Sequence, residues 1–249
     1  MPELSFQLYS ARNTPLPDAL KIIAEAGYTS VEAYGDNFSD TTLFKNALKT
    51  NSLTVASSHI GLDKLANNMD ESLALANDFD INHLVCPFLM PDDRPTDSKG
   101  WIAPADQLAG FNEIIESNGK TFAWHNHDFE LAVLDDGGVP MQLLLEHAPK
   151  MHWELDVGWI QRAGGSASTW LQQHAARISA VHLKDVAAAG ECVDEDGWAD
   201  VGHGTIDWNA LLGDLKNTKA NVLAVEHDNP SDLQRFAKNS FDSIQGWNW

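Results

Sequence analysis

Side chains that can bind a divalent metal or transfer a proton follow short apolar segments of the chain. The stretch WHNHDFE places His125 and His127 two residues apart, directly after the apolar run TFA. The same spacing recurs in three further pairs: Glu154 with Asp156, His182 with Lys184, and Glu226 with Asp228. Side chains two residues apart share one face of a strand. If these segments are strands, each pair points one way, and such carboxylates and imidazoles suit a divalent transition metal.

Eight short apolar runs alternate with segments of helical periodicity. The runs span residues 4–8, 30–34, 53–58, 83–88, 121–125, 151–156, 178–183 and 221–226. This alternation predicts parallel strands joined by crossover helices, and eight units in 249 residues is the size of a (β/α)8 barrel. A doubly wound open sheet is the alternative, but no glycine-rich dinucleotide fingerprint follows the first run. We therefore predict an α/β fold, a TIM barrel, in which residues 1–249 form one domain.

Two helices have clear boundary signals. In TPLPDALKIIAEAGY, we expect Thr14 to cap the helix, Pro15 to take its first position and Gly27 to end it. In NPSDLQRFAKNSFDSI, Ser231 is the expected N-cap.

Two strand-to-helix connections are longer than usual. Residues 89–103 and 185–207 belong to the barrel face that carries active sites, where long loops often act as lids. Trp198 lies in the second loop and Trp159 follows the sixth run. We expect both rings to stack on substrate, although packing beneath a lid would explain them equally well.

The barrel prediction brings the polar pairs to one place. In this fold, chemistry is built from the C-terminal ends of several strands, which here also include His59 after the third run. A lone histidine at a strand end is more often part of a hydrogen-bonded structure, and an acid such as Glu226 can simply reach solvent. Their joint occurrence at the ends of four successive runs favours function. We expect His59 and Asp228 to contact the substrate.

Composition excludes several partners. The chain has 36 Asp and Glu residues against 16 Lys and Arg, a formal net charge of −20. Such a charge repels nucleic acid and acidic membrane surfaces, which bind through Lys and Arg. No apolar run approaches the roughly 20 residues of a membrane span, and MPELSFQLYS is unlike a secretory signal. Cytoplasm is therefore the expected location, and the two cysteines indicate no disulfide framework.

Several motifs occur in a recognisable order along nearly the whole chain. They are QLYSARNTPLPDALKIIAEAGYTSVEAYG, WHNHDFE, WELDVGWI, VHLKD, VGHGTIDW and VEHD. Together they resemble the sugar phosphate isomerase/epimerase family, which has the xylose isomerase-like TIM barrel, and WHNHDFE is similar to a branch that neighbours the inosose dehydratases. The resemblance implies the fold, whereas the reaction stays open because this fold supports many chemistries.

The resemblance also implies one divalent metal ion, which can be Mn, Co, Zn or Mg. Carried over from the family's epimerases, its ligands fall on His125, Asp156, His182 and Glu226. His125 is a departure, because those epimerases have Glu at this position. Glu154 shares a strand face with Asp156 and is the alternative ligand or a base. Trp159 is a second departure, since many relatives have His there.

The implied chemistry is proton abstraction next to the carbonyl of a sugar or keto-sugar, through a metal-stabilised enediolate. We assign Glu154 or Glu226 as base and His127 or Lys184 as the opposing acid. Proton return to the neighbouring carbon would isomerise the substrate, and return to the opposite face would epimerise it.

Two other functions fit the same residues. Loss of a β-hydroxyl would make the protein a dehydratase of an inosose or keto-glycoside, and a barrel without turnover would only bind sugar. The expected partner is a small carbohydrate, unphosphorylated because the strand ends carry little arginine and no glycine-rich phosphate cradle. A homo-oligomer stays open.

Overall fold

Eight parallel strands close into a barrel in the computed structural model, which describes residues 2–249. The barrel strands are β1 (Glu3–Gln7), β2 (Ser30–Ala33), β3 (Thr54–His59), β4 (His83–Cys86), β5 (Thr121–His125), β6 (His152–Asp156), β7 (Ile178–Leu183) and β10 (Val222–Val225). Two short strands, β8 (Asp185–Val186) and β9 (Trp198–Ala199), lie between β7 and β10 along the chain and form a separate sheet. The barrel closes where β10 pairs in parallel with β1. This closure confirms the predicted (β/α)8 fold and excludes the open sheet.

Ten α-helices surround the barrel in the described part of the chain. They are α1 (Leu16–Ala26), α2 (Thr41–Asn51), α3 (Leu62–Asn67), α4 (Met69–Asp78), α5 (Ser98–Ser117), α6 (Pro140–His147), α7 (Val157–Arg162), α8 (Ala167–His174), α9 (Trp208–Lys216) and α10 (Leu233–Gln245). Within residues 2–249, none of these helices has the length and apolar character that crossing a bilayer requires.

Two helix starts differ from the sequence prediction by one residue. Helix α1 begins at Leu16, with Pro15 rather than Thr14 at the N-cap position. Helix α10 is capped by Asp232, whose side chain accepts a hydrogen bond from the Arg235 backbone N–H. Ser231 is not the cap: its hydroxyl accepts from the Arg235 guanidinium at 3.3 Å, and its backbone N–H donates to Glu195 in the loop before β9.

The barrel interior carries polar side chains where branched aliphatic residues are usual. His83 Nε2 lies 2.9 Å from Ser179 Oγ, although their strands β4 and β7 are not neighbours. The two side chains therefore meet across the interior. Ser5 and Ser30 are also fully buried. The apolar core lies instead between the strands and helices, so the polar interior is free to hold a site.

The long connection after β7 is an ordered structure. Strands β8 and β9 pair antiparallel within it, and the Asp185 carboxylate accepts hydrogen bonds from the Gly202 and Ile206 backbone N–H groups and from Trp208 Nε1. The connection after β4 is shorter than expected, because α5 already begins at Ser98.

Gly27 ends α1 in a backbone conformation that side chains disfavour. Its φ is 117°, and an added Cβ would lie 2.6 Å from the Phe241 ring. Gly27→Ala should lower the free energy of unfolding by about 2–4 kcal/mol, from left-handed strain and overpacking together. Urea unfolding followed by circular dichroism measures this loss.

Gly119→Ala is the matched control. Its φ is 73°, but no atom lies within 4 Å of an added Cβ. Only backbone strain of about 1–2 kcal/mol should therefore appear. Equal losses in the two variants would contradict the role assigned to the Phe241 contact.

Candidate functional site

The polar pairs predicted from the sequence project into the C-terminal end of the barrel. His125 on β5 is in register with Glu154 on β6, and Asp156 is in register with His182 on β7. All four side chains are at most 2% exposed. The shared register places carboxylates beside imidazoles at equal depth.

Four side chains form a group at the mouth of the barrel, which we call the mouth group: His125, Asp156, His182 and Glu226. Each offers one donor atom, and these atoms all lie within 4.8 Å of one another. His182 Nδ1 is 3.1 Å from Glu226 Oε2 and 3.8 Å from Asp156 Oδ2. This spacing would allow the four side chains to hold one cation.

A second set of four, the deep group, lies on the barrel's inner side of the first: His59, His125, Glu154 and His182. These donor atoms also lie within 4.8 Å of one another. Glu154 Oε2 is 2.7 Å from His59 Nε2, 3.2 Å from His125 Nδ1 and 3.2 Å from His182 Nε2. The two groups share His125 and His182, so they compete for the same imidazoles.

Sequence reasoning missed Glu32, which lies beside the deep group. It is fully buried on β2, and its Oε1 is 2.6 Å from His182 Nε2 and 3.2 Å from His59 Nε2. The available signal was a single carboxylate within the apolar run SVEAY, a pattern unsuited to a strand buried on both faces. Glu32 lies inside its run, whereas most of the residues predicted for the site lie near or just after the ends of theirs.

Burial and neighbouring charges act in opposite directions on these groups. Burial alone would lower the pKa of His59, but Glu32 and Glu154 raise it to about 10. His182 behaves alike: burial lowers its pKa, and Glu154 with Glu32 raises it well above the usual value. His125 differs, because burial and the neighbouring His182 lower its pKa to about 4. His125 is thus the imidazole that is neutral without a bound cation.

The carboxylates respond to the same neighbours. Burial would raise the pKa of Glu154, yet His182 and His59 bring it well below the usual range. For Asp156, burial dominates and raises the pKa to about 7, although Lys184 opposes the shift. Asp156 therefore lacks a strong cationic partner.

Unpaired atoms test whether a cation fits the mouth group. Asp156 Oδ2 is buried and has no hydrogen-bond partner, while Oδ1 caps α7 by accepting from the Trp159 backbone N–H. A buried carboxylate oxygen without a partner is costly unless a cation or donor satisfies it. Nitrogen and oxygen donors in equal number suit a divalent transition metal. The residues present therefore fit the metal that the family resemblance implies.

Lys184 is fully buried beside the mouth group. Its Nζ lies 3.0 Å from Glu226 Oε2 and also donates to Asp228 Oδ1. The ammonium lies over two aromatic faces, 4.9 Å from the Trp159 ring centre and 4.4 Å from that of Trp198. Trp198 is only 1% exposed, and its ring packs against Lys184 and Arg162.

A cavity of about 480 Å³ opens above the mouth group. Its lining includes five residues singled out from the sequence: His59, His125, His127, Glu226 and Asp228. Tyr9, Tyr34 and Phe88 add aromatic walls. The volume lies within the usual range of about 300–1,000 Å³ for small-molecule sites.

His127 belongs to the cavity wall rather than to either group of four. Its ring packs edge-on against Phe88, with centres 4.9 Å apart, and its Nδ1 has no hydrogen-bond partner. Burial, with the nearby His125 and Lys184, lowers the pKa of His127 well below the usual value. The pair in WHNHDFE is therefore divided, with one imidazole in the mouth group and one on the wall.

The loop that covers Lys184 is anchored to α10. Arg235 donates to Glu195 Oε1 at 2.8 Å and to Asp200 Oδ2 at 3.1 Å. It therefore ties two points of the loop, on either side of Trp198, to α10. Arg162 stacks over Trp198, 3.9 Å from the ring centre. The expected lid is thus held by buried charges, and it fixes the environment of Lys184.

The chain belongs to the xylose isomerase-like TIM barrel family, whose profile matches residues 20–246. A sugar phosphate isomerase/epimerase from Parabacteroides distasonis has a similar structure, with a TM-score of 0.79, 18% identity and coverage of 99% of this chain and 98% of that one. No curated protein sequence matches the chain.

Two further structures share the fold. The probable 3-DHS dehydratase AsbF from Bacillus anthracis superposes with a TM-score of 0.78 and 15% identity, covering 99% of this chain and all 100% of its own. The IOLI protein with a bound zinc atom gives a TM-score of 0.75 and 17% identity over 98% and 95% of the two chains.

Glu130 binds the backbone of His127 in the cavity wall, and its titration tests how burial shifts a carboxyl pKa in this part of the barrel. Its carboxylate accepts hydrogen bonds from Trp124 Nε1 and the His127 backbone N–H, and burial raises its pKa to about 8. A raised carboxyl pKa stabilises the fold below its unfolded pKa, and that contribution is lost as pH rises towards 8. Between pH 5.5 and 7.5 the loss should approach roughly 2–3 kcal/mol.

Glu130→Gln removes this titration. Relative to the variant, the wild type should lose free energy of unfolding between pH 5.5 and 7.5, as measured by urea unfolding at each pH. Glu146→Gln, an exposed carboxylate on α6, should leave the wild-type pH dependence unchanged. Parallel curves for wild type and Glu130→Gln would contradict the raised pKa.

Proposed function

We propose that this protein is a metal-dependent isomerase or epimerase that removes a proton next to the carbonyl of a sugar or keto-sugar. The observation that carries the proposal is the mouth group, four convergent donor atoms at the floor of a small-molecule cavity. Its members, His125, Asp156, His182 and Glu226, would hold one divalent ion, either Mn, Co, Zn or Mg. When bound, the ion supplies Lewis-acid stabilisation of negative charge on the substrate carbonyl oxygen.

Glu226 is the better supported base of the two glutamates. It lines the cavity, whereas Glu154 is fully buried with three imidazoles around one oxygen. Burial would raise the pKa of Glu226, but Lys184 and His182 bring it well below the usual range. An ionised carboxylate that reaches the substrate can accept its proton. Glu154 then orients His59 and His125 rather than reacting.

His127 and Lys184 differ in the proton step each can support. The lowered pKa of His127 makes it a neutral imidazole, which can accept or return a proton. Lys184 has a raised pKa, since Asp228 and Glu226 outweigh the effect of burial, and remains an ammonium donor. His127 follows β5 and Glu226 follows β10, with β6 and β7 between them. Two walls of the cavity thus offer proton acceptors, as an epimerase requires.

The cavity lining favours an uncharged sugar over a sugar phosphate. Glu226 and Asp228 place carboxylates on the wall, where they would repel a phosphate. The Arg12 guanidinium is the cation on this rim, and it donates to the Tyr9 and Asp228 backbone carbonyls. Aromatic faces such as Tyr34 suit the C–H faces of a sugar ring.

Dehydration is the second candidate. The Lys184–Asp228 ion pair favours it, because Asp228 lines the cavity and the pair can supply the proton that a departing β-hydroxyl needs. The first step, loss of the proton next to the carbonyl, is common to both reactions. Whether the product is an isomer, an epimer or a dehydrated sugar therefore depends on which group transfers the second proton.

Metal binding is tested without knowledge of the substrate. Zn2+ or Mn2+ at about 100 times Kd should stabilise the chain by about 2.7 kcal/mol, raising the melting temperature by roughly 5–10 °C. Asp156→Asn should abolish the rise. Asp106→Asn, an exposed aspartate on α5, should retain it. A wild type that gains no stability from any of Mn2+, Co2+, Zn2+ and Mg2+ would refute the proposed cofactor.

Catalysis is tested by incorporation of solvent deuterium into free ketoses and inososes, followed by NMR in D2O with added metal. The wild type should exchange the proton next to the carbonyl, and Asp156→Asn should lose at least 100-fold of that rate. His127→Gln should retain exchange but lose epimerised product. Binding of these sugars without any exchange would instead support a sugar-binding barrel.

A further inference from the structure

Glu32 is placed to control one ligand of the proposed metal site, although it belongs to neither group of four. Its carboxylate lies between β1, β3 and β7. Gln7 Nε2 donates to Oε1 at 2.6 Å, the Ser57 hydroxyl donates to Oε2, and His182 Nε2 lies 2.6 Å from Oε1. The side chain is fully buried, so these protein groups define its environment.

The direction of these hydrogen bonds follows from the chemistry of the partners. Gln7 Oε1 accepts from the Tyr9 backbone N–H at 3.0 Å, a group that can only donate. The Gln7 amide nitrogen must therefore face Glu32 and donate to it. With Ser57 donating to the other oxygen, Glu32 is an ionised acceptor. His182 Nε2 must then carry a hydrogen.

This hydrogen decides which nitrogen of His182 is free for a metal. His182 Nδ1 faces the mouth group, 3.1 Å from Glu226 Oε2, while Nε2 faces Glu32 and Glu154 in the deep group. A nitrogen that bears a hydrogen cannot bind a metal ion. A proton held on Nε2 therefore closes the deep group, whereas a metal ion can displace the second proton of this imidazole from Nδ1 and join the mouth group.

We propose that Glu32 is a positioning residue that holds His182 as the Nε2–H tautomer and thereby assigns the metal ion to the mouth group. The inference rests on the metal site proposed above and adds a residue from β2 to it. A carboxylate that accepts the second N–H of a metal-bound histidine fixes its ring and raises its basicity. Gln7 and Ser57 in turn fix Glu32.

The first test is Zn2+ affinity, measured by isothermal titration calorimetry on the full chain. Loss of such a carboxylate typically weakens metal binding 10–100-fold. Glu32→Gln should therefore raise the Kd for Zn2+ by this factor. Glu195→Gln is the matched control, because it makes the same change in a buried carboxylate that binds Arg235 in the loop. Its Kd should stay within twofold of the wild type.

The second test reads the His182 tautomer directly, first in the wild type and then in a Glu32 variant. In 15N-histidine-labelled wild type, NMR should show a protonated Nε2 on His182 both without metal and with Zn2+ bound. The His182 signals are assigned from their loss in His182→Asn. In Glu32→Leu, which removes the acceptor oxygen that Glu32→Gln would retain, the Nε2–H population should fall. A merely structural role of Glu32 would leave the tautomer unchanged.

The outcomes separate the two proposals. A protonated Nδ1 and bare Nε2 in wild-type His182, or an unchanged Kd in a folded Glu32→Gln, would overturn this inference while the metal site stands. A wild type that binds no Zn2+ would overturn the proposed metal site and this inference together. A changed tautomer and a 10–100-fold weaker Kd would support both.

Discussion

The site depends on how the barrel compensates the negative charge that it buries. Four carboxylates with at most 5% exposure lie within it: Glu32, Glu154, Asp156 and Glu226. Among the described residues, Lys184 is the one lysine or arginine that pairs with any of them. Buried charges are stable only when they are paired or bind a metal. The imidazoles supply part of the remaining compensation, and the proposed divalent cation would supply the rest.

Compensation of this kind makes the site a unit. His182 faces Glu32 through one nitrogen and Glu226 through the other. A substitution of Glu32 on β2 can therefore affect Glu226, which follows β10, through the imidazole ring between them. Removal of one partner leaves its neighbour buried and uncompensated, which costs more than the lost contact alone. Substitutions within such a network are expected to be non-additive. The polar barrel interior thus stabilises the site and makes it sensitive to single changes.

The sequence predicted the strands well because each apolar run had to be buried on both faces. The predicted runs 121–125 and 178–183 coincide with β5 and β7. Helix starts were less predictable, since Ser231 and Asp232 both carry an oxygen that can cap α10, and the Ser231 hydroxyl accepts from the Arg235 side chain instead. Such tertiary competition has no local signal.

The candidate site was partly visible in the sequence for the same reason. Polar residues that end a run stand out, and the mouth group lies at such ends. Glu32 did not stand out, because it lies inside a run and is explained only by Gln7, Ser57 and His182 from other strands. The i, i+2 spacing showed that Glu154 and Asp156 share a face. It could not show that the first belongs to the deep group and the second to the mouth.

In the proposed reaction, the outcome of proton removal depends on the side chains of the cavity walls rather than on the mouth group at the floor. The mouth group can assist the same first step whether the product is an isomer, an epimer or an alkene. The second step belongs to His127 on one wall or to the Lys184–Asp228 pair on the other. Lys184 is held there by Trp198, which belongs to the loop that Arg235 anchors. In the proposed reaction, sequence change in that loop would alter the second step while the mouth group stays constant, in keeping with a fold that supports many chemistries.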